Sequence, residues 1–145
     1  MRLALGVTVL ATATACGSAK KVDPYANSLA QGSEHVTFHG VVQGRAVSGS
    51  GDFVGERGTL TTRANGAVVH QVVVGHRIYV RTVEGWRTRV TEGTNTPAEM
   101  FRKRLPATFR NDLVARIVVG AITYEFSEYG KHVSVTVPRV KGAAK

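Results

Sequence analysis

The residues that could do chemistry here are five histidines, one cysteine, a scatter of carboxylates and a glycine-rich stretch. His35 and His39 are four apart. On a strand they would share a face but stand about 13 Å apart at ~3.3 Å per residue, too far to hold one metal ion. His70, His76 and His132 lie far from them in sequence, so solvent-facing histidines are expected and no metal site. Asp52, Glu56, Glu84 and Glu125 have no spacing that favours an acid–base pair, and they read as surface charge. No G-x-S-x-G, H-E-x-x-H or phosphate-binding loop occurs. Gly49-Ser50-Gly51 followed by Gly55 is not a dinucleotide fingerprint, because no helix pattern follows it. Glycines inside a strand pattern more often mark a bulge or sharp bend. Trp86 opens a strand in which Arg87 and Arg89 alternate, so an Arg–Trp cation–π contact or a core cap is available there. No enzyme and no cofactor is therefore expected.

The lone cysteine needs its own account. Met1-Arg2 precedes an uncharged run, Leu3 to Ala15, that is too short to span a bilayer, for which a helix needs about 20 residues. It fits the apolar region and small-residue cleavage zone of an export signal, residues 1–15. The junction Ala13-Thr14-Ala15-Cys16-Gly17-Ser18 resembles a bacterial lipobox, in which a small residue precedes the cysteine that becomes the acylated first residue. Ala13 departs from the usual branched aliphatic residue, and Ala13-x-Ala15 also reads as an ordinary signal-peptidase site. Acylation at Cys16, with chains of the palmitate type, explains an unpaired cysteine in an exported chain. Two or more acyl chains would anchor it stably. Residues 16–21 would be the tether, and the chain would sit on the outer side of the cell membrane or elsewhere in the envelope.

The formal net charge is +9, or +8 once Arg2 is removed. For an exported chain the anionic partners are lipid headgroups or cell-wall polymers. Nucleic acid is not expected, since lysines and arginines are scattered except for Arg102-Lys103-Arg104. With one cysteine no internal disulfide can form, and the length suits a single domain over 22–140 with a frayed tail, 141–145, in a monomer.

These residues must be positioned by a β-rich fold. Asp23-Pro24 reads as a helix N-cap and first residue, with Gly32 as the stop. From His35 to about Val90 the hydrophobic period is two, cut by turn signals at Gly44, Gly55–Gly58, Asn65-Gly66, Gly75 and Glu84-Gly85. Asn65-Gly66 is the strongest hairpin signal, and the short spacing predicts an antiparallel meander of about six strands. Thr96-Pro97-Ala98-Glu99 is a capping box. Phe101, Leu105, Phe109 and Leu113 follow at spacing four, and Pro106 must break or kink the element. This predicts two helices, about 97–104 and 107–115. Arg116 to Glu128 and His132 to Val137 read as a closing pair of strands turning at Tyr129-Gly130-Lys131. The fold class is α+β and β-rich: a curved antiparallel half-barrel of about eight strands with short helices on its concave face.

Several stretches carry a resemblance to a known group. They are the lipobox-like Cys16, Val36-Thr37-Phe38-His39-Gly40, Gly49-Ser50-Gly51-Asp52-Phe53, Asn65-Gly66, Ile78-Tyr79-Val80-Arg81 with Trp86, and the ending Tyr124 to Lys131 with Val135-Thr136-Val137-Pro138. In these the chain resembles the LppX/LprA/LprF/LprG-type lipoproteins of actinobacteria, relatives of LolA/LolB-like carriers. The resemblance implies a half-barrel with helices over its open face and a cavity for an acylated lipid or glycolipid. The family is longer between the Trp-containing strand and the final hairpin. A shortened middle implies a smaller cavity or a filled core, so a structural lipoprotein without ligand is the alternative. Phe101, Leu105 and Phe109, with Met100 beside them, are expected to close the pocket from above. Phe38, Phe53, Val72, Ile78, Val80 and Trp86 are the candidates for the opposite wall. Arg102-Lys103-Arg104 is expected on the outer side or rim, facing anionic headgroups.

Overall fold

A computed structural model describes residues 20–93 and 96–142. The expected export segment, Cys16 and most of the tether lie outside the described residues, as do residues 143–145 of the tail.

Helix α1 (Pro24–Gln31) begins where the Asp23 carboxylate accepts the N–H groups of Tyr25 and Ala26, at 3.1 and 3.3 Å. It stops at Gly32, in the left-handed region at φ 78°. Six strands follow as an antiparallel meander: β1 (Ser33–Val42), β2 (Arg45–Val54), β3 (Arg57–Ala64), β4 (Ala67–Val74), β5 (Arg77–Thr82) and β6 (Gly85–Val90). Each connection is two residues long. Gln43-Gly44 and Asn65-Gly66 have positive φ at both turn positions, as a type I′ turn requires. Gly55 and Gly75 have it at the first position only, the type II′ pattern.

Helix α2 (Pro97–Arg102) starts with Thr96 accepting the Glu99 N–H, as the capping box predicts. The chain then adds β7 (Ala107–Arg110), β8 (Leu113–Val119) and β9 (Ile122–Ser127), and β9 pairs back onto β1. The result is one curved, unclosed sheet of nine antiparallel strands in the order β6-β5-β4-β3-β2-β1-β9-β8-β7.

Both helices pack against the concave face. Side chains directly opposite each other in an antiparallel pair share a face, so the register carries one face across the sheet: Phe126, Val36, Gly51, Leu60, Gln71 and Val80. Val36, Phe53, Val73, Ile117 and Phe126 meet Met100 and Phe101 of α2 in the main core. Three glycines on this face leave room for rings and backbone. A Cβ on Gly49 would stand 2.4 Å from the Phe38 ring, and one on Gly58 would stand 2.2 Å from the Phe53 ring. On Gly51 it would meet the Thr59 carbonyl oxygen at 2.0 Å. The Gly49-x-Gly51 stretch is therefore a close-packing device in a strand.

Two expected elements differ. No helix spans 107–115; β7, an Asn111-Asp112 turn and the start of β8 occupy it. Both turn residues have positive φ, which Asn and Asp tolerate, and the β-branched run that follows favours strand. The segment Arg116 to Glu128 is not one strand but the β8–β9 hairpin, turning at Gly120-Ala121. Among the described residues His132 to Val137 pairs with no strand; it follows Lys131, whose carbonyl accepts the Ser33 hydroxyl at 2.5 Å.

Candidate functional site

A recess of about 190 Å³ lies between α2 and the concave face of β1 to β6. Met100 and Pro97 form its roof, because the Pro97 N1 position and the short helix place both on the sheet-facing side. Val36, Phe38, Phe53, Val73 and Ile78 form its apolar floor. Tyr124 closes the β9 end, with its ring 5.9 Å from that of Phe38. Burial pushes the Tyr124 hydroxyl above its ordinary pKa and keeps it neutral. Gln71 and Arg89 stand at the β4–β6 end. The carbonyl of Gln71 accepts the Thr62 hydroxyl at 3.3 Å, and its NH₂ group remains a donor.

Of the ten pocket candidates, the structure brings four together here: Phe38, Phe53, Ile78 and Met100. The other six lie elsewhere. Val80 is on the concave face, one pair beyond Ile78 and outside the recess. Val72 and Trp86 point to the convex face, paired with Tyr79 and Arg81. Phe101 is 1 % exposed, but it faces away from the recess into Phe126 and Tyr129, at ring distances of 5.0 and 6.4 Å. Leu105 packs half-buried on that same core, and its carbonyl accepts the Tyr25 hydroxyl at 2.5 Å. Phe109 sits on the edge strand β7, 48 % exposed and edge-on to Tyr25. The expected stripe Phe101–Leu105–Phe109 does not exist as one surface, because the chain turns into strand after Pro106.

Sequence reasoning missed Val36, Leu60, Gln71, Val73, Arg89, Pro97 and Tyr124 in the lining. A usable signal was present. A two-residue turn at Gly75-His76 fixes Val74 opposite Arg77, hence Val73 opposite Ile78. Ile78 therefore shares its face with Val73 and Gln71, not with Val72.

The basic run Arg102-Lys103-Arg104 is engaged inside the fold. Arg102 pairs with Glu56, Lys103 with Glu99 at 3.0 Å, and Arg104 with Asp23. The Arg104 guanidinium also lies over the Tyr25 ring, 5.3 Å from its centroid. The Arg102–Glu56 and Arg104–Asp23 pairs are largely exposed and contribute little each, but they link the α2 segment to the β2–β3 turn and to the start of α1.

Two polar clusters lie outside the recess. On the convex face the ligand atoms of His35, Asp52 and Glu128 fall within 4.8 Å of one another, a grouping with no local sequence signal. Lys131 occupies its centre, with its ammonium 2.5 Å from Asp52 and 3.2 Å from Glu128. Burial opposes ionisation of Asp52, but hydrogen bonds from Lys131 and His35 outweigh it and hold the carboxyl below its ordinary pKa. A wider groove of about 630 Å³ runs along β7–β9, and its wall carries the paired Arg116 and Glu125. Its polar, open wall suits solvent better than an apolar guest.

One carboxyl is buried on the concave face. Glu34 is 4 % exposed, and its Oε1 has no hydrogen-bond partner among the described residues. Burial pushes its pKa up to about 7. Nearby, the Tyr129 hydroxyl donates to the Val114 carbonyl at 2.7 Å. Burial first, and the Glu34 charge after it, push that hydroxyl's pKa upward.

No helix among the described residues is long and apolar enough to cross a membrane. No family model, curated protein or solved structure matches the chain.

Proposed function

We propose that this is an exported, Cys16-anchored envelope protein that binds the apolar chain of a lipid or similar molecule in the recess between α2 and the sheet. The observation that carries the reading is that recess. Its floor and roof are aliphatic and aromatic, yet its volume is not filled by the protein's own side chains. Small-molecule sites are concave and mostly apolar, with a few placed polar groups, and this one has that composition. The resemblance to the LppX/LprG-type lipoproteins and the lipobox-like junction at Cys16 add support. The described lining is apolar but for Gln71, Arg89 and the Tyr124 hydroxyl, which supports binding or carriage.

The volume favours a modest guest. Ligand sites commonly run to about 300–1,000 Å³, and 190 Å³ lies below that. A structural lipoprotein that binds nothing is the second reading, and the same measurement separates the two. Native mass spectrometry of protein released gently from its own membrane is expected to show two additions. One is covalent acyl mass at Cys16, and the other is a ligand that leaves on denaturation. Met100→Trp, which fills the recess from its roof, is expected to abolish the second and spare the first. A bare polypeptide with a free thiol and no released ligand would overturn the proposal.

A further inference from the structure

We infer that the recess takes a single-chain amphiphile with an anionic headgroup, and that Arg89 holds the head at the β6 end. This rests on the binding role proposed above and narrows it.

The chain count follows from volume. The recess, about 190 Å³, lies below the ~300–1,000 Å³ of common ligand sites. That volume suits one short chain better than the two or three of a multiply acylated lipid.

The head's charge follows from the lining. Arg89 carries the one formal charge among the described lining residues. It faces the concave side because the register sets it opposite Ile78, whose side chain is part of the floor. It has no carboxylate partner among the described residues, whereas Arg87, two residues away on the same face, is paired with Glu84. Gln71 lines the same end, where its NH₂ group adds donors, while the Thr62 hydroxyl takes one lone pair of its carbonyl. An apolar slot that ends in a guanidinium and an amide NH₂, with no carboxylate among its described lining residues, matches a carboxylate or phosphate head. It repels an ammonium and gives a neutral hydroxyl a weaker hydrogen bond than an anion. The net charge, +9 for the full chain and +8 once Arg2 is removed, favours the approach of an anion.

The experiment is an NMR titration of the domain with four eight-carbon probes: octanoate, octyl phosphate, 1-octanol and octyltrimethylammonium. The Met100 and Ile78 methyl signals report the chain, and the Arg89 Nε–H signal reports the head. Octanoate or octyl phosphate is expected to bind at least about tenfold more tightly than octanol, the scale of one charge-assisted hydrogen bond. The ammonium probe is expected to bind weakest. Arg89→Gln should remove the anion preference and leave the octanol affinity unchanged, and Arg89→Glu should turn the preference toward the ammonium. Whichever anionic probe binds better identifies the source of the head, a fatty acid or a phosphate ester. Equal binding of all four probes, or an anion preference that survives Arg89→Gln, would overturn the inference while leaving the recess a chain-binding site. If no probe moves the Met100 and Ile78 methyls, the binding role itself fails.

Discussion

The concave face has two halves built from the same kind of strand and filled in different ways. Toward β8 and β9, Phe101, Phe126, Val114 and Ile117 close on one another with almost no exposure, and Tyr129 and Leu29 pack around them. Toward β3 to β6, the same helix offers only Met100 and Pro97, and a recess remains. The cause is geometric. A six-residue helix is about 9 Å long at 1.5 Å per residue, whereas six strands at about 4.8 Å apart span far more. One such helix can seal only one end. The well-packed half holds the fold, and the poorly covered half is free to hold something else.

The largest effect that tests this contrast is a pair of truncations. Phe101→Ala empties the closed half and is expected to destabilise by about 3–5 kcal/mol. Met100→Ala enlarges a space that already exists, so its cost is expected near the low end of the range for such residues, about 2 kcal/mol. Urea denaturation of both variants checks the order. If Met100→Ala costs as much as Phe101→Ala, the two halves are equally packed and the contrast is wrong. Phe101 alone therefore reports the fold and says little about a ligand.

The closed half also buries Glu34, which makes the contrast depend on pH. Its folded pKa is raised, from 4.5 to about 7. The folded state therefore keeps a proton that the unfolded chain loses. Stability from this group is full below pH 4.5, falls as pH rises toward 7 and is constant above. The span of about 2.5 units at ~1.36 kcal/mol each amounts to about 3 kcal/mol. Glu34→Gln cannot ionise, so it should match the parent near pH 4 and exceed it by about 3 kcal/mol at pH 8. Parallel stability curves for the two proteins across that range would show that Glu34 is not held neutral.

Much of this architecture was legible in the residues. The period of two, the Asn65-Gly66 turn and the Thr96 capping box located the meander and α2, because local chemistry decides each of them. What stayed hidden was non-local. Spacing-four apolar residues through Phe109 imitated a helix. The Asn111-Asp112 turn and the β-branched run after it outweighed that pattern. The recess was legible in part, as Phe38, Phe53, Ile78 and Met100. The two-residue turns fix every pairing of the meander, so the inward face follows once any one strand is placed. Tyr124 could not be found that way. Its place depends on β9 returning to β1, a contact between segments about 86 residues apart, and no turn encodes it.

The smallest effect concerns the seam that keeps the closed half closed. The register between β7 and β8 slips at Thr108/Phe109, so Ala115 has no partner on β7 and both Val114 and Ile117 turn into the core. A bulge of this kind leaves a ladder group unpaired. Here the Val114 N–H donates to the Ser28 hydroxyl at 2.9 Å, and that hydroxyl donates in turn to the Pro24 carbonyl at 2.8 Å. Ser28 is fully buried, so water cannot replace it. Ser28→Ala is expected to cost about 1–3 kcal/mol, the penalty for a buried N–H left without an acceptor. Hydrogen exchange locates the loss: the Val114 amide should exchange faster, while amides of β3 to β5 keep their protection relative to the new global stability. Ser28→Gly removes the same acceptor and adds the cost of glycine within α1, about 1 kcal/mol relative to alanine. It should therefore be less stable than Ser28→Ala with the same Val114 signature. If both variants keep a slowly exchanging Val114 amide, Ser28 does not bridge α1 to the bulge, and the closed half owes its order to side-chain packing alone.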